Sequence, residues 1–214
     1  MNDEITDRMR AVAKAAGAIV QPAGCKANIL VFVPKDRKQL FAQLRSKRPE
    51  LFGRLTAQQI AALENEAEPV VAWHIFEQRG ADGRPLSGAL REGQPLVQEA
   101  VTISRVLPSA RSELDIATVV LDAKATLGMT TMQLADYALM RGIAQTRGAT
   151  TGGLDAPTIL AILRDKQLGQ PAPLSVTALD LAFLKALYGA KNGEFQGAQR
   201  ADIEAEMTRA LPRS

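Results

Sequence analysis

The sequence predicts an α+β protein: a small mixed sheet with helices packed on it, and a helix-rich C-terminal half. Three observations carry this. Short apolar runs, NILVFV (28–33) and PVVAWHIF (69–76), read as strands in the first half. A further strand-like run, IATVVLDA (116–123), leads through a Gly into TTMQLADYALMRGIAQTR (130–147), which has helical periodicity. The later TALDLAFLKALYG (177–189) is an almost wholly apolar helix.

Composition permits such a core. The chain has 214 residues, 46% of them apolar, 23% charged and 4% aromatic. That suits one domain, or a larger domain with a small lobe, whose interior is built from aliphatic side chains. We divide it into a mixed half, 1–105, and a strand-plus-helix half, 106–214, packed as one unit.

Residues 4–16 form an amphipathic helix ended by Gly17. Strand 28–33 is stopped by Pro34, and Asp36 caps a helix over 37–47 that ends before Pro49. Thr56 with Gln59 forms a capping box for a short helix reaching Asn65. In the second strand, Val70, Ala72, His74 and Phe76 share one face and Val71, Trp73 and Ile75 the other. Both faces are apolar, so this strand is expected at the centre of the sheet. Ala81-Asp82-Gly83 is a turn, 84–96 a loop and 97–104 a further strand. Thr130 caps helix 131–147, with Met132, Ala135, Leu139 and Ile143 as its core stripe. A Gly-rich loop precedes a short helix capped by Asp155, with Pro157 in its first turn. QPAP (170–173) breaks the chain, and Thr177 with Asp180 is a capping box for a helix expected to be surrounded by protein. A last amphipathic helix, 198–211, turns Ile203, Met207 and Leu211 inward.

Few chemistries fit. The chain has one His and one Cys, so a His-rich zinc site is excluded by counting; no metal and no cofactor is expected. Cys25 reads as a small buried hydrophobe, and His74 as a satisfied core histidine. No Gly-x-Ser-x-Gly elbow and no phosphate-loop spacing occurs. The one place for acid–base work is the polar face of helix 131–147, where Asp136 and Tyr137 sit together with Arg141 one turn beyond Tyr137. A metal-independent hydrolase would use these three; the plainer reading is a helix face whose charges pair with a neighbouring loop. Net charge is +3, and much of the excess lies in Lys35, Arg37, Lys38, Arg45, Lys47 and Arg48. That run could meet nucleic acid or an anionic surface, but reads first as the wet face of a helix. No apolar run approaches the roughly 18 residues that a membrane span needs.

The segments GMTTMQLADYALMRGIAQT (128–146), PTILAIL (157–163) and SVTALDLAFLKALY (175–188) resemble a family of uncharacterised bacterial proteins, many predicted to be exported. GCKANILVFV (24–33) and EPVVAWHIFEQRGADGRPL (68–86) extend the likeness over most of the chain. That family is itself distantly similar to zincin-like peptidase domains. In a zincin the helix after the strand carries His-Glu-x-x-His; here it reads Leu134-Ala135-Asp136-Tyr137-Ala138, with no zinc ligand and no catalytic Glu. The resemblance therefore implies the scaffold without the peptidase centre: a non-catalytic binding or structural protein with a groove beside helix 131–147 and a protein or peptide partner. It also implies an export signal ahead of Met1 and a periplasmic or secreted mature protein; without such a signal the expectation is a cytoplasmic one.

Overall fold

A computed structural model of the chain describes residues 2–22, 24–25, 27–80, 110–144, 157–189, 205 and 207–209. It is α+β, with three strands in one mixed sheet and helices on both faces. The expected turn 81–83, loop 84–96, strand 97–104, Asp155 cap, and Ile203 and Leu211 of the final helix lie outside the described residues; 205 and 207–209 are helical.

Helix α1 (Asn2–Ala15) is closed by Gly17, whose φ of +86° is open to glycine and strained for other residues. Strand β1 (Ile29–Phe32) is followed by α2 (Arg37–Lys47), where Asp36 Oδ1 accepts from Gln39 N at 3.1 Å. A 3₁₀ turn, Pro49–Phe52, leads to α3 (Ala57–Glu64), whose Thr56–Gln59 capping box has both reciprocal hydrogen bonds. Strands β2 (Val70–Gly80) and β3 (Ala110–Leu121) come next. After them follow the short α4 (Ala123–Thr126) and then α5 (Thr131–Ile143). A 3₁₀ turn at Ile159–Ala161, capped by Thr158 rather than from Pro157, runs into α6 (Ile162–Gln167), and α7 (Ala178–Gly189) follows.

The strand order is β1-β3-β2. β1 runs parallel to β3 with Ile29 opposite Ala117, and β2 runs antiparallel with Val70 opposite Leu121. Among the described residues β2 is thus an edge strand, and β3 holds the centre where β2 was expected. The alternation of β2 is as read, but its two apolar faces report helices above and below the sheet, not a neighbour strand on each side.

One face carries Ile29, Val31, Val70, Ala72, Val119 and Leu121 against α1, α5, α7 and the 3₁₀–α6 segment. The other carries Val71, Trp73, Ile116 and Val120 against Phe41, Leu44, Leu51 and Phe52 of α2 and its following turn. There Phe52 and Trp73 stack at 5.5 Å, and the Trp73 indole N–H donates to Leu51 O at 2.6 Å. Each large side chain fully buried in these layers contributes about 1.5–3 kcal/mol of transfer free energy. In α7, Leu179, Asp180, Ala182, Leu184 and Ala186 are buried while Lys185 is exposed, so it is enclosed on most of its circumference. Cys25 is exposed and free: it sits in a turn four residues before β1 begins, not in the strand.

Candidate functional site

Helix α5 is the most deeply buried helix among the described residues. Thr130 and Gln133 close its N-terminus with a reciprocal capping box, and Gln133 Nε2 also donates to Pro173 O at 2.8 Å. From Ala135 to Ile143 every residue is buried. The expected stripe fails at one end only: Met132 is 46% exposed, because it lies in the first turn before the helix passes under its neighbours.

The polar face expected on the surface is buried as well. Asp136 is fully buried and is held bidentately by Arg8 of α1, at 2.7 Å from Nε and 2.8 Å from Nη2. Its Oδ2 also accepts from Val176 N at 2.8 Å. The partner is therefore a helix 128 residues away as well as a loop. The 170–177 segment lies against α5: Gln133 Nε2 donates to Pro173 O, and Val176 N donates to Asp136 Oδ2.

Tyr137 and Arg141 face another way, toward β2. Tyr137 is 1% exposed; burial pushes its phenol pKa up, the Arg141 charge opposes that, and Glu68 adds to it. Arg141 is 5% exposed, and its Nη2 donates to Val70 O at a long 3.4 Å. His74 of β2 lies against the C-terminus of α5 with Nε2 2.9 Å from Gly142 O. Burial holds His74 below the usual imidazole value, against the pull of the Gly142 and Arg141 carbonyls, with the Arg141 charge assisting the burial. His74 is thus a satisfied, half-buried residue. Asp136, Tyr137 and Arg141 do not converge: the first points at α1 and the 173–176 segment, the others at the sheet.

The basic stretch divides similarly. Arg37 pairs with Asp122 at 2.7 Å and donates to Glu66 O and Glu68 O, keeping 9% of its side chain exposed. Arg45 pairs with Glu64 and lies over the Phe41 ring, and Arg48 pairs with Glu50. Of the six only Arg37 is half-buried; Lys35, Lys38, Arg45, Lys47 and Arg48 are exposed, the two arginines within their ion pairs. Phe41 and Phe52 are core residues, so no described aromatic of this stretch offers a stacking platform beside them.

A cleft of about 770 Å³ opens between the Pro157–Asp165 region and the 170–177 segment. Its walls include Pro157, Pro171, Pro173, Leu174 and the Arg164–Asp165 ion pair. Beneath it, Asp180 ties the floor together: its carboxylate accepts from Thr158 Oγ1, Ile159 N at 2.9 Å and Thr177 N at 2.9 Å. The capping box at Thr177 was legible in the sequence; the cleft was not, since it depends on where the QPAP segment returns. Arg8 was also missed, although it falls in the inward stripe with Ile5, Met9 and Val12 of α1, and an arginine in such a stripe signals a buried carboxylate.

Among the described residues no three His, Cys, Asp or Glu side chains gather as a metal site, and no helix is long and apolar enough to cross a membrane. Comparison with protein-family models, with curated proteins and with solved structures gives no match.

Proposed function

We propose that this chain is a non-catalytic binding or structural protein on a zincin-like strand–helix scaffold, of an exported bacterial kind, and that the 157–177 cleft receives an extended protein or peptide segment. The observation that carries the reading is the fate of the polar face of α5. Asp136, Tyr137 and Arg141 are each 5% exposed or less and are divided between two directions. A general acid or base must come within hydrogen-bond reach of a substrate proton, and Asp136, the one carboxylate of the three, is committed to Arg8 and Val176 N.

What supports a peptide as occupant is the character of the cleft. Proline-rich walls lose little conformational freedom on binding, and Leu174, 75% exposed at the rim, offers apolar surface. Panning a displayed library of linear peptides against the whole chain tests this. Enriched peptides are expected to bind Leu174→Asp about tenfold more weakly, the consequence of losing one apolar anchor. Enrichment that ignores Leu174→Asp overturns the cleft assignment. Hydrolysis of a bound peptide that Asp136→Asn abolishes in a folded variant overturns the non-catalytic reading.

A further inference from the structure

Among the described residues Arg141 is a cation without a counter-ion. Arg8, Arg37, Arg45, Arg48 and Arg164 each meet a carboxylate. Among the described residues Arg141 meets none: Nε and Nη1 find no acceptor, and Nη2 makes a long contact with Val70 O at 3.4 Å. A guanidinium cannot relieve burial by losing its proton, and a buried charge with its partner missing is strongly destabilising. The arrangement also has a defined place. Asp122 N donates to Pro69 O across the β2–β3 ladder, so by strand alternation the Val70 carbonyl points away from β3. Arg141 therefore reaches the side of β2 that has no neighbouring strand among the described residues. The Tyr137 hydroxyl lies one helical turn back beside the guanidinium, and His74 pins the end of α5 that carries Arg141 through its contact with Gly142 O.

We propose that Arg141 and the Tyr137 hydroxyl form an oxyanion site at the outer edge of β2, taking a carboxylate or phosphate group of a ligand. Arginine suits this task because its several N–H donors match the oxygens of either group. The Glu68 carboxylate, close enough to act on Tyr137, competes with the incoming anion. The site is on the sheet side of α5 and is independent of the cleft.

The test is thermal unfolding of the whole chain, followed by the fluorescence of Trp73, its one tryptophan. Sodium acetate or sodium phosphate is exchanged for sodium chloride at constant ionic strength. The wild type is expected to show a saturable rise in Tm with at least one of the two oxyanions; acetate alone identifies a carboxylate site, phosphate alone a phosphate site. Arg141→Met is expected to lose the rise, Tyr137→Phe to weaken the apparent affinity about fivefold, and Glu68→Gln to strengthen it. Identical Tm values in the three salts overturn the proposal, as does an equal rise in Arg141→Met, which marks an adventitious ion only. Should Arg141→Met fail to fold, the wild-type arginine Nε–H resonances decide. A protected Nε–H that shifts with acetate or phosphate but not chloride supports the site, and its failure to shift overturns it.

Discussion

Thr118 gives the sharpest stability prediction. It sits at the centre of β3, fully buried, opposite Trp73 in the ladder, and its Oγ1 has no hydrogen-bond partner. Thr118→Val replaces that hydroxyl by a methyl group of nearly the same volume, so no cavity opens and no neighbour must move. What changes is the desolvation penalty of an unpaired hydroxyl, about 1–3 kcal/mol from protein mutational data. Valine is also well suited to a central strand. The expected result is a gain of about 1.5 kcal/mol, which for a chain of this size is a Tm rise of about 3–6 °C. Urea denaturation followed by Trp73 fluorescence measures it from the residue directly across the ladder. An unchanged m value with a higher midpoint is predicted. A loss of stability would show that the Thr118 hydroxyl is bonded, and would refute this description of the interior.

Two further predictions concern the contact of α5 with the sheet. Because burial depresses the folded-state pKa of His74, its neutral form stabilises the fold above the unfolded value of about 6.5, and that contribution is lost as pH falls through the lower folded value. Between pH 7.5 and 5.5 the wild type should lose more stability than His74→Gln, measured as urea midpoints at each pH; equal slopes would refute it. Gly142 packs so close to the sheet that a Cβ would lie 3.1 Å from Ile29 Cγ2 and 3.5 Å from Val119 Cγ2. Gly142→Ala should be near neutral, as the helical gain of about 1 kcal/mol offsets a small shift of Ile29. Gly142→Leu should lose about 3 kcal/mol by overpacking. Chemical denaturation separates the two, and a tolerated leucine would mean that α5 stands further from the sheet.

Much of this fold was legible because its signals are local. The Asp36 and Thr130 caps, the Thr56–Gln59 box and the Thr177–Asp180 pair each depend on residues three apart. The strands at 28–33, 70–76 and 116–121 announce themselves by apolar runs. The candidate site was legible only as a set of residues. Whether Asp136 faces water depends on Arg8, at the far end of the sequence, and on the 173–176 segment folding back over α5. Neither contact leaves a spacing that a helical wheel can show. The place of β2 in the sheet is hidden for a similar reason: face polarity reports the layers above and below a strand, not its lateral neighbours.

The account stands on the claim that Asp136 of α5 holds the protein together instead of meeting a substrate, and a double-mutant cycle on Arg8 and Asp136 tests that most directly. Arg8→Met, Asp136→Asn and the double variant are compared by urea denaturation. Arg8 keeps 31% of its side chain exposed and can rehydrate, whereas Asp136 keeps none. Arg8→Met should therefore be the more damaging, at about 3–5 kcal/mol, since it strands a buried carboxylate. The coupling energy should be about 2 kcal/mol. A coupling below about 0.5 kcal/mol, the spread expected of independent sites, with Arg8→Met as stable as the wild type, would leave Asp136 free for another task and contradict the claim.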